Sequence, residues 1–129
     1  MAKAKGRFLV AVVDDDVAMR EATERLLDSA GFRTAGYASA EAFLRSRRGR
    51  SAHCLVLDLH MPGLDGLQLY STLRARGVVI PAILVTADHD RHGRLRADAL
   101  AAGMLGILHK PFAGDALIQL VQRAQQAQA

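Results

Sequence analysis

The sequence is poor in several residue types on which particular classes of protein depend. Its 129 residues include one cysteine and no tryptophan, and aromatic residues make up only 5% of them. The single Cys54 excludes an internal disulfide and a thiolate metal cage, and we interpret it as a small core residue in an apolar segment. No apolar run approaches the roughly 20 residues of a membrane helix, because Asp, Arg or Gly interrupts each one.

The remaining composition favours one small globular domain. Half of the residues are hydrophobic and 23% are charged, which argues against disorder, and the length fits one domain with its own core. The amino terminus is positively charged, but the apolar run Phe8–Val13 after it is too short for a signal peptide. We therefore expect a soluble protein of the cytoplasm with no membrane partner.

Lysine is scarce as well, whereas arginine is abundant. The 17 basic residues comprise three Lys and 14 Arg, and they exceed the 13 acidic residues to give a net charge of +4. The arginines are spread along the chain apart from the segment Arg45–Arg50, and few aromatic side chains accompany them for stacking on bases. We interpret that segment as a solvated loop and predict no direct binding of nucleic acid by this domain.

What the sequence does have is an alternation of short apolar runs and longer amphipathic stretches. The runs predict five strands, at Phe8–Val13, Arg33–Tyr37, His53–Leu57, Pro81–Val85 and Met104–Leu108. The stretches predict five helices, at Val17–Ala30, Ser39–Arg47, Leu67–Arg76, Arg91–Ala102 and Asp115–Gln126. Strands that alternate with helices predict an α/β fold, a doubly wound parallel sheet covered by helices on both faces.

Polar residues follow four of the five predicted strands. The run Asp14–Asp16 follows the first strand, Asp58 the third, Thr86 the fourth and Lys110 the fifth. The carboxyl ends of parallel strands meet at one edge of a sheet, so we expect these side chains to converge there.

Carboxylates, a hydroxyl and an ammonium group at one edge form the chemical set that phosphoryl transfer requires. Crowded carboxylates repel one another and raise each other's pKa unless a cation compensates, and oxygen ligands of this kind suit Mg²⁺. A carboxylate can act as the in-line acceptor of a phosphoryl group whose oxygens are stabilised by the metal, the lysine and the hydroxyl.

Four motifs carry a resemblance to a known family. They are Val12–Asp15 with Arg20 after it, Leu57–Gly66, Val85–Ala87 and Lys110–Phe112. In this order and at this spacing they resemble the receiver domain of response regulators in bacterial two-component signalling, over about Arg7 to Arg123. The resemblance implies the flavodoxin-like strand order 2-1-3-4-5 in a domain of residues 7–123, with a tail at 1–6 and a tail or truncated linker at 124–129.

The resemblance also implies a role for each acidic residue of the site. Asp58 would accept a phosphoryl group from a phosphohistidine and form an acyl phosphate. Asp14 and Asp15 would hold Mg²⁺ together with Asp58 and the main-chain carbonyl of His60. Asp16 is interpreted differently, as the N-cap of the first helix.

The remaining matched positions would act on the phosphoryl group. Thr86 would hydrogen-bond it, and Ala87 would leave room for it. Lys110 would pair with Asp58 before the reaction and with a phosphoryl oxygen afterwards. A cis peptide bond before Pro111 would direct Lys110 into the site.

The partners follow from the same resemblance. The phosphodonor would be a sensor histidine kinase or a phosphotransfer protein, and no turnover of an external substrate is expected. Phosphorylation would reposition the face formed by the fourth helix, the fifth strand and the fifth helix. That face would then act on an output domain, for example a DNA-binding one, on a partner protein, or on a second copy in a homodimer.

Three features depart from the family pattern. Ile107 stands where family members often have an aromatic switch residue. His60 and Asp88 occupy the positions that tune hydrolysis of the acyl phosphate, where the pair could either orient or screen water. The segment around His89 and His92 also suggests a zinc or nickel site with Asp88 and Asp90, although a solvated loop is the favoured interpretation.

Two other functions remain as alternatives. One is a pseudo-receiver, a binding module with this fold that is not phosphorylated. The other is a phosphatase of the haloacid-dehalogenase class, in which Asp14 and Asp16 would form the D-x-D pattern with Asp14 as nucleophile. That class requires a cap domain and a late acidic pair that the sequence lacks, and it leaves Asp58 without a role.

Overall fold

The computed structural model describes residues 7–88 and 93–128 and contains one parallel sheet. Its strands are β1 (Leu9–Val13), β2 (Arg33–Tyr37), β3 (Cys54–Asp58), β4 (Ala82–Thr86) and β5 (Gly106–His109). They lie side by side in the order β2-β1-β3-β4-β5, and every neighbouring pair is parallel. The predicted α/β fold and the strand order implied by the resemblance are confirmed.

Helices connect the strands and follow the last one. They are α1 (Val17–Ser29), α2 (Ala40–Arg45), α3 (Arg47–Arg50), α4 (Gly66–Ala75), α5 (Arg94–Ala101) and α6 (Gly114–Ala127). Side chains cap the starts of four of them: Asp16 accepts from Met19 N, Ser39 from Ala42 N, Ser46 from Gly49 N, and Asp65 forms a capping box with Gln68.

The described residues thus form six helices, one more than the sequence predicts. The additional helix is α3, in the segment that the sequence analysis assigns to a solvated loop. Ser46 ends α2 and caps α3, because its Oγ accepts a hydrogen bond from Gly49 N at 3.0 Å and lies 2.8 Å from Tyr37 Oη. A side chain at Gly49 would approach Phe43 to 2.9 Å, so the buried side of this turn requires glycine.

The sheet separates two apolar layers. β1, β3 and β4 are buried along their whole length, as expected of central strands covered on both faces. One layer centres on Phe43, Leu69 and Leu84, and the other on Leu27 and Leu117. The rigid middle of the sheet therefore fixes where β1, β3 and β4 end.

Cys54 belongs to the second layer and is fully buried. Burial raises the pKa of its thiol to about 12, so the thiolate does not form at neutral pH. Its interpretation as a core residue agrees with this environment. Among the described residues, no helix has the length and apolar character needed to cross a membrane.

Phe43→Ala is expected to lower the free energy of unfolding by about 3–5 kcal/mol, because it opens a cavity in a fully packed layer. Phe43 is 0% exposed and makes an edge-to-face contact with Tyr37 at 5.4 Å between ring centroids. Val79→Ala is the control, since Val79 is 70% exposed, and it should change stability by less than about 0.5 kcal/mol. Urea denaturation followed by circular dichroism measures both, and equal losses would contradict the assignment of Phe43 to the core.

Candidate functional site

The candidate site lies at the carboxyl edge of the sheet, where the strands end. β1, β3 and β4 are adjacent, with Val13 paired to Leu57 and Asp58 paired to Val85. Asp14 therefore follows β1 directly beside the end of β3, and Thr86 ends β4 on the other side of Asp58. The strand order alone brings these three side chains to one place.

Three carboxylates form a cluster there. Oxygens of Asp14, Asp15 and Asp58 all lie within 4.8 Å of one another. Asp14 and Asp58 are buried, with 5% and 6% of their surface exposed, whereas Asp15 is exposed. The cluster is thus open to solvent on the Asp15 side.

The environment of Asp58 disfavours its charge. Burial raises the pKa of the Asp58 carboxyl, and the neighbouring Asp14 carboxylate raises that pKa further. The ammonium group of Lys110 opposes both effects. An additional cation, or positive charge placed nearer to Asp58, would therefore stabilise its charged form.

Lys110 reaches into the cluster from the end of β5. Its Nζ lies 3.3 Å from Asp58 Oδ1 and 3.5 Å from Asp14 Oδ2. The backbone holds its base in place, because Lys110 N donates to the Thr86 carbonyl at 2.7 Å. The peptide bond between Lys110 and Pro111 is cis, as the resemblance implies.

Asp14 and Asp16 have different surroundings although they are two residues apart. Asp14 Oδ1 accepts from Asp16 N at 2.9 Å, and its carbonyl accepts from Arg20 Nη1 at 2.7 Å. Asp16 Oδ1 accepts from Met19 N at 3.1 Å and caps α1. The Asp16 carboxylate is not part of the three-carboxylate cluster.

Thr86 is fully buried beside the cluster. Its Oγ1 accepts a hydrogen bond from Asp88 N at 3.0 Å. Because the oxygen only accepts in this bond, the hydroxyl still has its own proton to donate. Ala87, the small residue after it, is exposed.

The loop between β3 and α4 is held by Glu41, a residue that no sequence motif marks as part of the site. Glu41 on α2 accepts a hydrogen bond from Leu64 N at 3.2 Å, and a side chain at Gly63 would collide with its carboxylate. Backbone hydrogen bonds lower the pKa of the Glu41 carboxyl. From the sequence, Glu41 is only an acidic residue in the first turn of a predicted helix. Its hydrogen bond with Leu64, 23 residues away, cannot be predicted from that position.

The start of α4 is also closely packed against the site. A side chain at Gly66 would lie 2.6 Å from the Asp58 carbonyl oxygen, so glycine allows α4 to begin directly against the end of β3. This contact and the Glu41 hydrogen bond fix the loop that follows Asp58.

His60 and Asp88 connect two loops beside the site. His60 Nε2 lies 2.6 Å from Asp88 Oδ2, although both side chains are exposed. The pair links the loop after β3 to the loop after β4. The zinc or nickel hypothesis involves His89, Asp90 and His92, which lie outside the described residues.

Ile107 packs into the first apolar layer and is 2% exposed. It also contributes to a surface groove of about 310 Å³ between α5, β5 and α6. The rim of this groove includes Arg96 and Arg123. The residue at the family's aromatic position is thus buried beside the face that the resemblance assigns to switching.

The carboxylate cluster fits a divalent cation. Three carboxylates meet one ammonium group, so the ionised site has an excess of negative charge. All available side-chain ligands in it are oxygens, the donor set that Mg²⁺ prefers. The acidic pocket of Asp14, Asp15 and Asp58 could therefore bind such an ion.

Comparison with known proteins agrees with this geometry. A family model described as "Response regulator receiver domain" matches residues 10–122. The transcriptional regulatory protein FixJ of Bradyrhizobium diazoefficiens is 38% identical over 89% of this chain. The C4-dicarboxylate transport transcriptional regulatory protein DctD of Rhizobium meliloti is 35% identical over 91% of it.

This chain spans only part of those relatives, 55% of FixJ and 25% of DctD. Solved structures match over nearly the whole chain. A receiver domain of a Francisella response regulator has a TM-score of 0.87 at 25% identity and covers 95% of this chain and 100% of its own. The crystal structure titled FixJ-N has a TM-score of 0.83 at 30% identity, over 94% and 95% of the two chains.

Asp58→Asn is expected to raise the free energy of unfolding of the metal-free protein at neutral pH. Folding raises the pKa of the Asp58 carboxyl. At pH values between the pKa of the unfolded chain and that of the folded protein, the folded protein therefore binds the carboxyl proton more tightly. The contribution of Asp58 to the free energy of unfolding is therefore complete at low pH, and it is lost as the pH rises through that window. Asparagine carries no charge and removes that loss, so its benefit should shrink in acid.

Urea denaturation in EDTA, at neutral and at acidic pH, measures this difference. Asp98→Asn is the control, because Asp98 is an exposed carboxylate on α5 away from the cluster. An equal effect of Asp58→Asn at both pH values would contradict the raised pKa.

Proposed function

The chain belongs to the family of response regulator receiver domains, and we propose that it accepts a phosphoryl group on Asp58 from a sensor histidine kinase or a phosphotransfer protein. The reaction depends on Mg²⁺ held by Asp14, Asp15, Asp58 and the main-chain carbonyl of His60. Phosphorylation is the signal, and the domain turns over no external substrate. The site of action is the cytoplasm.

One observation supports this function above the others. Lys110 Nζ lies between the carboxylates of Asp58 and Asp14, at 3.3 and 3.5 Å, in a cluster whose excess negative charge suits a divalent cation. A half-buried lysine in contact with two buried aspartates is a costly arrangement, and such arrangements are frequent at functional sites. A phosphoryl group with its metal ion is a charged ligand that suits this arrangement.

In the transfer, an oxygen of the Asp58 carboxylate attacks the phosphorus of the phosphohistidine. The new P–O bond forms as the P–N bond breaks, and the leaving imidazole nitrogen keeps the electron pair of the broken bond. Lys110 exchanges its contact with Asp58 for one with a phosphoryl oxygen. The metal, when bound, neutralises charge on the phosphoryl oxygens.

Phosphorylation then acts on Thr86. About two negative charges arise beside its hydroxyl, which can donate its proton to a phosphoryl oxygen. Moving toward the phosphoryl group would strain the bond that Thr86 Oγ1 accepts from Asp88 N. β4 and β5 are paired at Thr86 and His109, so the shift passes to β5 and to the groove beside Ile107.

The output is proposed from the relatives. FixJ and DctD are named as transcriptional regulatory proteins, and this chain matches about half or a quarter of their length. We infer that the domain controls transcription through a DNA-binding output domain or a partner protein. The face of α5, β5 and α6 would make that contact or form a phosphorylation-dependent homodimer.

The two alternatives are less well supported. A haloacid-dehalogenase phosphatase would need Asp16 beside its nucleophile Asp14, but the Asp16 carboxylate caps α1 instead. A pseudo-receiver would have no use for the Lys110 contacts with two buried carboxylates. Turnover of p-nitrophenyl phosphate that Asp14→Asn abolishes would favour the phosphatase.

The wild-type chain is expected to be labelled by acetyl phosphate in the presence of Mg²⁺, and Asp58→Asn should abolish the labelling. Asp15→Asn should weaken it and raise the Mg²⁺ concentration required, since it removes one of the three negative charges of the cluster. Intact-mass spectrometry measures the phosphorylated fraction.

Asp16→Asn is the matched control. It removes a neighbouring charge, while asparagine preserves the helix cap, so labelling should stay close to wild type. Equal labelling of Asp58→Asn and wild type would rule out Asp58 as the acceptor.

Thr86→Val should separate phosphorylation from switching. The variant keeps Asp58, the metal ligands and Lys110, so labelling should persist, but it lacks the hydroxyl that links the phosphoryl group to β4. Amide NMR with beryllium fluoride and Mg²⁺, which mimic the acyl phosphate, should show reduced changes in β5 and α6. Thr72→Val, in α4 and away from the cluster, is the control, and wild-type changes in Thr86→Val would contradict the role of the hydroxyl.

A further inference from the structure

The amino edge of the sheet, where the strands begin, collects many of the arginines that are scattered along the sequence. Eight of them precede β1, β2, β3 or β4 or end the helices that lead to these strands. We call this set the arginine edge: Arg7, Arg33, Arg45, Arg47, Arg48, Arg50, Arg74 and Arg76. All eight side chains are exposed.

Little in the described part of the chain neutralises this charge. Asp28 lies near the end of α1 and accepts a hydrogen bond from Thr34 Oγ1 at 3.5 Å, and Glu41, four residues before Arg45 on α2, interacts electrostatically with Arg45. Within residues 7–88 and 93–128, the ion pairs involve none of the eight arginines. The acidic cluster lies at the opposite, carboxyl edge, so the molecule is electrically polarised.

Local structure explains only some of these arginines. Arg45 and Arg74 lie in the last turns of α2 and α4, where a cation stabilises the helix dipole, and Arg74 also packs on the Tyr70 ring at 5.8 Å. Arg7 and Arg33 are in no helix. Three of the four residues of α3 are arginines, more than stabilisation of the dipole of so short a helix requires.

The strand order arranges the charges in a row. Arg7 lies two residues before β1, Arg33 begins β2, Arg50 lies four residues before β3, and Arg76 precedes β4. Contacts at the strand starts hold three of these segments together, since Phe8 packs on His53 and on Phe32. With neighbouring strands roughly 4.8 Å apart, four strands give a row about 15 Å long.

The sequence alone predicts no direct binding of nucleic acid, because its arginines are scattered along the chain; since the fold gathers eight of them at one edge, we propose instead that the arginine edge binds the sugar-phosphate backbone of double-stranded DNA without sequence preference. The choice of DNA rests on the proposed function in transcription. A duplex carries about one negative charge per 1.7 Å of its axis, so a row of about 15 Å faces enough phosphates to engage every arginine in it. Guanidinium groups bind phosphate oxygens in a bidentate manner, and arginine supplies this surface throughout.

Two other anionic partners fit less well. A membrane surface needs apolar or aromatic side chains that insert between lipids, and the described residues expose only three large apolar side chains, each in a different segment: Val17, Val79 and Leu100. An acidic protein surface offers fewer charges over the same length than a duplex does. The arginine edge also lies at the amino edge of the sheet, whereas Asp58 lies at the carboxyl edge. DNA and the phosphodonor would therefore bind at different places and would not compete.

Fluorescence anisotropy with a short duplex of random sequence tests this proposal, using the 129-residue chain at several salt concentrations. Binding should weaken as salt rises, and log K should fall linearly with log salt concentration. Two double variants, Arg7→Gln with Arg33→Gln and Arg47→Gln with Arg50→Gln, should each reduce that slope by about two, one for each lost phosphate contact.

The control double variant is Arg25→Gln with Arg94→Gln. It removes the same charge from two exposed arginines that do not belong to the arginine edge, one of them already paired with Glu21 at 4.0 Å. Its salt slope should match that of wild type. Circular dichroism melting of all three variants confirms that the substitutions leave the fold intact.

Three outcomes would overturn the proposal: no binding to DNA at about 50 mM salt, equal losses in the control variant, or binding to polyglutamate or anionic vesicles but not to DNA. Beryllium fluoride titrations of the same variants separate this result from the function of Asp58. If the arginine variants respond to beryllium fluoride as wild type does but DNA binding is absent, only the arginine edge is in error. If the protein binds DNA but shows no response to beryllium fluoride, the proposed phosphorylation of Asp58 is contradicted and the arginine edge is not.

Discussion

The contact of one lysine with two buried carboxylates is the interaction around which this molecule is arranged. Lys110 Nζ lies 3.3 Å from Asp58 and 3.5 Å from Asp14, and Asp15 belongs to the same cluster. Like charges at such separations destabilise the folded state unless cations lie among them. One ammonium group leaves the ionised cluster negative, and because of this imbalance the cluster could bind a metal ion.

The fold meets this constraint by building the site on the ends of rigid strands. Asp14 and Asp58 follow central strands that are buried along their length, and the Lys110 backbone is bonded to the Thr86 carbonyl on the adjacent strand. Loops carry the remaining parts, and Glu41 fastens one of them from a neighbouring helix. The reactive groups are thus held by the core, and at least one of the loops beside them is fixed by a hydrogen bond.

The sequence predicts the fold well where local pattern and packing agree. Apolar runs mark the strands, and capping residues such as Asp16 and Ser39 mark helix starts, so the α/β fold follows from them. The family resemblance rests instead on the motifs at the ends of the strands. Prediction fails where a contact joins distant segments. The Arg45–Arg50 segment contains a helix because Ser46 bonds Tyr37 and because Gly49 packs on Phe43, neither of which a composition rich in arginine reveals.

The sequence by itself determined which reactive groups this protein has and that each follows a strand, since residue type and periodicity are local properties. Only the tertiary structure decided which groups became neighbours. The His60–Asp88 pair, the Glu41 contact and the arginine edge join residues from separate strands, loops and helices. Parallel strands require crossover connections that return the chain to the same edge of the sheet before each strand. Charges that are far apart in sequence therefore meet in space, and a local sequence pattern does not show which of them become neighbours.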